Sequence, residues 1–425
     1  MRVPNWMLGV ALAATALLSA CGGSGNSNNN SGDANVRLLN ASIGYSSLDL
    51  KRETTTVNGA VAFGSAGSYT AVPTSTSSVQ VLAAGGTTVL NSPTLGLLKD
   101  TRYTLVAWGE VGATNTLVVS EGEPVPTTAT KAKVLVVNLA AGAGNVDVYM
   151  TTTAAALADV SPNAAVLSPG RSDSYREVDA ASYRLRVTAA GSKTDLRLDV
   201  PAVTLEAQKV YVLMLTSAPG SAMVNALLMP YNAAVTRFEN GIANARVISA
   251  LPRTSTVTAA LNGTTVLNNA GSPVVSPYQT VTVTNGATLR WSVDGVAQTD
   301  RTLALARSAT YSLLIWGNPA APTVTTLTED NSLPTVGSAK LRVLNAVQGL
   351  SAVDMYLNLS PVITGVTGGQ LSNSAILNSV DEYPVSVRAG ATTVFSVSRK
   401  FNSGGIYTIY LTGTVGNIEA QIVQQ

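Results

Sequence analysis

The sequence predicts an all-β protein: four tandem immunoglobulin-like antiparallel β-sandwich domains behind an N-terminal signal segment and a flexible tether. Three observations predict it. The phrase YTLVAWGE at 103–110 returns as YSLLIWGN at 311–318, 208 residues later (311 − 103). Short apolar runs rich in Val, Thr and Leu alternate with Gly- and Pro-bearing turns, and no segment carries an amphipathic helix of convincing length. The chain has 425 residues, 46% hydrophobic and only 12% charged. That is too long for one sandwich and about half the usual charge content.

The N-terminus comes first. In MRVPNWMLGVALAATALLSAC, Arg2 supplies a positive start and residues 7–18 an apolar stretch too short to span a bilayer stably. Small residues follow, then Cys21. Residues 1–20 therefore read as a cleavable secretory signal. Leu18, Ser19, Ala20 and Cys21 resemble the bacterial lipobox. That resemblance implies a lipoprotein signal peptide, a diacylglycerol on the Cys21 thiol and Cys21 as the new N-terminus. Cys21 is the only cysteine, so disulfides cannot staple the fold. Acyl chains can hold the protein at a membrane, since each buried methylene contributes about 0.8 kcal/mol. Residues 21–34 form the lipidated Cys and linker. The run GGSGNSNNNSGDA cannot build a core and spans about 20 Å as a flexible chain. Gly22 rather than Asp follows the anchor; by resemblance to proteobacterial lipoproteins this favours the outer membrane.

The remainder divides into four units at 35–130, 131–240, 241–337 and 338–425. Each opens on an apolar strand: VRLLNA, VLVVNL, ARVISA and LRVLNA, ending at or near Asn40, Asn138, Ser249 and Asn345. Each closes on a tyrosine strand led by Tyr103, Tyr211, Tyr311 or Tyr407. Between them a strand runs into a turn glycine: Gly85, Gly191, Gly295 or Gly390. Turns often need positive φ, which glycine adopts at little cost. The first and third units pair through Trp108 and Trp316, the second and fourth through VDVYM and VDMYL. The simplest history is one domain doubled, then the pair doubled. The units are expected to behave as beads on a string with few shared contacts.

VRLLNAS…SLDL, VLVVNLAAGAGNVDVYM and LRVLNAVQGLSAVDMYL, each followed by a Tyr strand ending in a small residue, resemble the bacterial domain-of-unknown-function family 4397. The resemblance covers residues 35–425 and is best in the second and fourth units. The third departs most, with Ser249 for Asn and TVTAAL for Val-Asp-Val-Tyr. The family implies tandem copies and a lipoprotein anchor, and offers no catalytic residues to carry over.

The chemistry is sparse. There is no histidine, so a Ser-His-Asp triad cannot form and the commonest zinc ligand is missing. The net charge of +2 leaves no basic surplus for nucleic acid. No catalytic, cofactor-binding or metal-binding residue is expected, and no cofactor. The acidic pairs Asp195/Asp199, Glu121/Glu123, Glu329/Asp330 and Asp381/Glu382 are expected on solvated loops or strand faces. Asp49, Asp147 and Asp354 recur on the second strand; they are read as structural, facing solvent or the sheet edge and accepting backbone hydrogen bonds at a turn. Trp108, Trp291 and Trp316 are expected in the cores rather than as sugar-stacking platforms. The reading that follows is a lipid-anchored cell-envelope protein, not an enzyme, serving binding, adhesion or structure. Its partners would be the membrane, through Cys21, and an envelope protein or polysaccharide. The alternatives are a polysaccharide-binding accessory protein and a hydrolase with an inter-domain carboxylate site.

Overall fold

The computed structural model describes residues 31–283, 286–379 and 381–425. Cys21, the signal segment and most of the tether lie outside them. The described residues form eight sheets, two per unit, around four separate apolar cores. The tandem β-sandwich architecture expected from the sequence is present.

In the first unit, one sheet runs Thr70–Pro73, Asp33–Ser42, Arg102–Glu110, Ala113–Ser120. The other runs Thr55–Ala62, Ser47–Arg52, Gln80–Ala83, Val89–Asn91. The other three units repeat this plan with small additions. Pairing is antiparallel with one exception per unit. The opening strand lies parallel to the tyrosine strand in all four units. No hairpin can make that pair; the crossover it needs is the whole of the opposite sheet.

The sequence markers have local physical causes. Each leading tyrosine hydroxyl accepts the backbone N–H five residues upstream: Leu98 to Tyr103 at 3.0 Å, Glu206 to Tyr211 at 2.9 Å, Ala306 to Tyr311 at 3.0 Å and Asn402 to Tyr407 at 3.0 Å. This tyrosine corner pins the loop entering the strand. The strand-end asparagines are fully buried. Asn138 accepts the Ala140 N–H at 2.9 Å and donates to the Gly144 and Leu167 carbonyls at 3.0 and 2.9 Å. It makes the expected turn and also ties it to the facing sheet. Asn40 and Asn345 do the same. In the third unit Ser249 reaches the Leu251 carbonyl through Ser272 instead.

Asp49 and Asp147 accept backbone N–H groups, as expected, but are buried rather than facing solvent. Asp49 holds the N–H groups of Ala60 and Gly85 at 2.7 and 3.0 Å; Asp147 holds those of Val166 and Gly191, both at 2.8 Å. Ala60 and Val166 sit at φ of 48° and 52° within register shifts of the neighbouring strand. The carboxylate thus fastens a left-handed bulge that would otherwise be strained. Asp354 does this for Gly365, and Thr258 substitutes for it at Asn269.

The units are not beads on a string. Strands such as Lys131–Leu139 and Val210–Ala218 are buried on both faces. One face, with Val134, Val136 and Leu213, fills the second unit's own core. The other, with Val137, Leu139, Val212 and Met214, packs on Leu39, Ala41, Val106 and Val119 of the first unit. The third and fourth units join likewise through Ile248, Leu314, Leu344 and Tyr410. Trp108 and Trp316 belong to these junctions, partly buried, and not to the cores of their own units. Alternation along the strand is the reason: Ala107 and Ile315 point inward, so their neighbours point at the next unit. Trp316 covers Gly369 (φ 76°), where a Cβ would stand 2.4 Å from the indole. Trp291 does lie in its own unit's core.

Candidate functional site

The polar groups that the fold gathers lie at the two unit–unit junctions. In the first pair, Arg37 Nε donates to Thr104 at 2.8 Å and its Nη2 to Glu121 at 3.3 Å. Glu121 also accepts from Thr104 at 2.5 Å, from the Tyr69 hydroxyl at 2.7 Å and from the Asn232 N–H at 2.8 Å. Asn232 belongs to the second unit, as does Ala233, whose carbonyl takes an Arg37 hydrogen bond at 2.8 Å.

The second pair repeats the cluster with an extra cation. Arg246 donates to Glu329 Oε1 at 2.8 Å and to Tyr410 of the fourth unit at 2.9 Å. Arg342, also of the fourth unit, binds the other Glu329 oxygen, and Ser312 and Tyr278 complete the shell. Burial pushes the Glu329 carboxyl up, but Arg246 and Arg342, with hydrogen bonds from Ser312 and Tyr278, outweigh it and hold it below the usual carboxylate range. Burial, then Glu329, pushes the Tyr278 hydroxyl up. Glu121 and Glu329 are therefore not solvated: their side chains are 0% and 1% exposed. Loss of hydration makes each such carboxylate expensive to bury alone, and the guanidinium opposite is what allows it.

The other acidic pairs separate. Asp195 binds Arg197 and Asp199 binds Arg184; Asp330 binds Lys340 at 2.8 Å; Asp381 and Glu382 are exposed. Among the described residues no three His, Cys, Asp or Glu side chains converge as a metal would need. A cleft of about 710 Å³ opens where the second, third and fourth units meet, lined by Arg197, Tyr278, Gln279, Asn331 and Gln425 among others. Beside it, about 460 Å³ is lined by Asp330, Lys340, Arg342 and Asn373. The carboxylates in both are held by cations, so these walls offer amides, hydroxyls and guanidinium edges rather than a free acid–base pair. Sequence reasoning missed the clusters because Arg37 and Glu121 lie 84 residues apart.

The profile of a domain of unknown function, DUF4397, matches residues 34–149, 243–348 and 339–425, more than half of the chain. The chain belongs to the DUF4397 family. The matches cover the third unit, which by sequence departs most, and leave 150–242 unmatched, most of the second unit, where the resemblance is expected to be best. Within that stretch the second unit has a short 3-10 turn at Leu157–Asp159 and an extra strand at Thr236–Phe238. A search of curated proteins finds no match. Among solved structures, a family 26 carbohydrate-binding module of Eubacterium rectale Amy13K, in complex with maltoheptaose, is similar at 11% identity and a TM-score of 0.16, over 43% of this chain and 97% of that one. The Bacillus anthracis TIE protein is similar at 10% identity and a TM-score of 0.15, over 91% of this chain and 69% of that one.

Proposed function

We propose that this DUF4397 protein is a lipid-anchored, non-enzymatic component of the bacterial cell envelope, held at the outer membrane by acyl chains on Cys21. It serves there as a stiff binding, adhesion or structural array. One observation carries the reading: the buried Arg–Glu clusters, at Arg37–Glu121 and again at Arg246–Glu329–Arg342, fasten one unit to the next. Polar chemistry spent on junctions suits a chain whose task is to hold a fixed shape. The tryptophans support the same reading, since Trp108 and Trp316 are seated against the following unit.

Two measurements test it. Cys21→Ser should abolish metabolic labelling with a palmitate analogue and release the protein from membranes; undiminished label rules out the anchor. Trp108→Ala should lower stability. Unchanged stability with loss of binding to a cell-surface glycan would replace this reading with a polysaccharide-binding one.

A further inference from the structure

The second and third units meet through an interface whose two halves are different surfaces. The segment entering the fourth unit lies back on the second: Asn331 N–H donates to the Gly220 carbonyl at 3.0 Å and Leu333 N–H to the Gly142 carbonyl at 2.9 Å. Beside it, Ser308 Oγ donates to Asn225 at 3.1 Å and the Ser221 and Thr310 hydroxyls meet at 3.3 Å. Gly142, Ser221, Ser308 and Thr310 are buried there.

Because the chain is a two-unit block written twice, each half of this interface exists a second time. VPT at 125–127 matches LPT at 333–335, so Val125 is the counterpart of Leu333, and Asp100 and Arg102 are those of Ser308 and Thr310. At the other end, QGLSAVDMYL matches AGAGNVDVYM, which makes Gly349 and Ser351 the counterparts of Gly142 and Gly144. The hairpin tip Val415–Gly416 likewise answers to Pro219–Gly220, and Asn417 and Gln421 to Ser221 and Asn225. Gly416 keeps the left-handed φ of Gly220, 92° against 60°. These second copies are uncovered. Where Gly142, Ser221, Ser308 and Thr310 are buried, their counterparts Gly349, Asn417, Asp100 and Arg102 are exposed, and Val125 is 51% exposed against 37% for Leu333.

We infer that the fourth unit of one chain docks on the first unit of another, repeating the junction between the second and third units, so that chains associate head to tail. An interface made of two unlike surfaces does not close on itself in a dimer; it leaves an open half at each end and adds further copies. The partner is a second copy of this chain because the surface that fits each exposed half is already seen fitting its internal twin. The substituted contacts remain compatible: Asp100 can accept from the Gln421 amide where Ser308 meets Asn225, and Val125 replaces Leu333 as the apolar residue. Within one chain the junction is helped by the covalent connection, which supplies a high effective concentration. Between chains the same contact is weaker, and crowding of copies on a membrane takes the place of the linker. The contact itself concerns surfaces that are present whether or not Cys21 is acylated; the crowding and the assay in the envelope rest on the proposed anchor, and the solution assay does not.

Cysteine crosslinking in the native envelope tests it on the full chain. The pair Val125→Cys with Ser351→Cys would bring two thiols together across the chain–chain contact. A control pair, Gly142→Cys with Ser332→Cys, spans the internal junction, where a Cβ at 142 stands 3.0 Å from that of Ser332. Under mild oxidation the test pair should give a non-reducing ladder of dimer, trimer and higher species, while each single variant and the unaltered chain give none. Adding Val125→Asp in place of the cysteine should remove concentration-dependent association of detergent-solubilised chains. A test pair that stays monomeric while the control pair closes overturns the inference. A ladder that stops at dimer, or a crosslink formed only within one chain or to a different protein, overturns it as well.

Discussion

Consider Glu329→Ala. The carboxylate is shared by Arg246 and Arg342, whose side chains are 5% and 1% exposed. Its removal leaves two buried guanidiniums facing each other without a counter-charge. Breaking a buried ion pair by deleting one partner costs about 3–5 kcal/mol, and two stranded cations place this case near 5. The matching change Glu121→Ala strands Arg37 alone and should cost about 3 kcal/mol. The loss should fall on the third and fourth units together, because Arg342 and Tyr410 come from the fourth. Urea denaturation should be followed by hydrogen exchange resolved by segment, because a chain of four units does not unfold in a single two-state step. Replacing the triad as Arg246→Met, Glu329→Leu and Arg342→Met should recover most of the loss, as apolar replacements of buried ion triads do. A cost below about 1 kcal/mol, the size of an exposed pair, refutes the reasoning. So does a loss of protection confined to the third unit.

Three further outcomes are expected. The Glu329 carboxyl is held below its ordinary value of 4.5, so its contribution is present above that pH and is lost as pH falls through the lower folded value; acid titration of unfolding should show the third and fourth units weakening there. Asn138→Ala removes three hydrogen bonds from a fully buried turn and should cost about 2–3 kcal/mol by urea denaturation, the desolvation cost of the groups it orphans. Trp316→Ala opens a gap at the junction of the third and fourth units and not in a core. It should cost about 2–3 kcal/mol, below the usual loss for a fully buried tryptophan, and should speed hydrogen exchange in the Gln370–Leu371 strand as well as its own.

What the sequence displays well are features in which a side chain serves backbone close by. Tyr103 answers an N–H five residues away, Asn40 one two residues away. Such needs recur with every copy of the fold, so the residues recur too. The junctions were harder to read, though one signal was available. VLVV at 134–137 and VYVLML at 210–215 are apolar at every position, and a strand with one solvated face would alternate. Their second face had to be covered by something outside their own sandwich. The identity of that cover depended on which sheets turn toward each other, and no local pattern carries that. For the same reason Glu121 looked like a loop acid: its partner Arg37 stands at the far end of the unit's sequence.

The parallel pairing of opening and tyrosine strands sets a timetable for synthesis. Arg37 and Thr104 lie across that pair yet 67 residues apart, and the spacing from Arg246 to Ser312 and from Arg342 to Thr408 is 66. A chain emerging N-terminus first holds an unmatched apolar strand until nearly a whole unit has followed it. Even then the first unit shows the bare face of Leu39, Val106 and Val119 until the second is complete. The smallest stretch that can stand in water without help is thus a pair of units, and a nascent half-pair is the stage at which a chaperone has the most to hold.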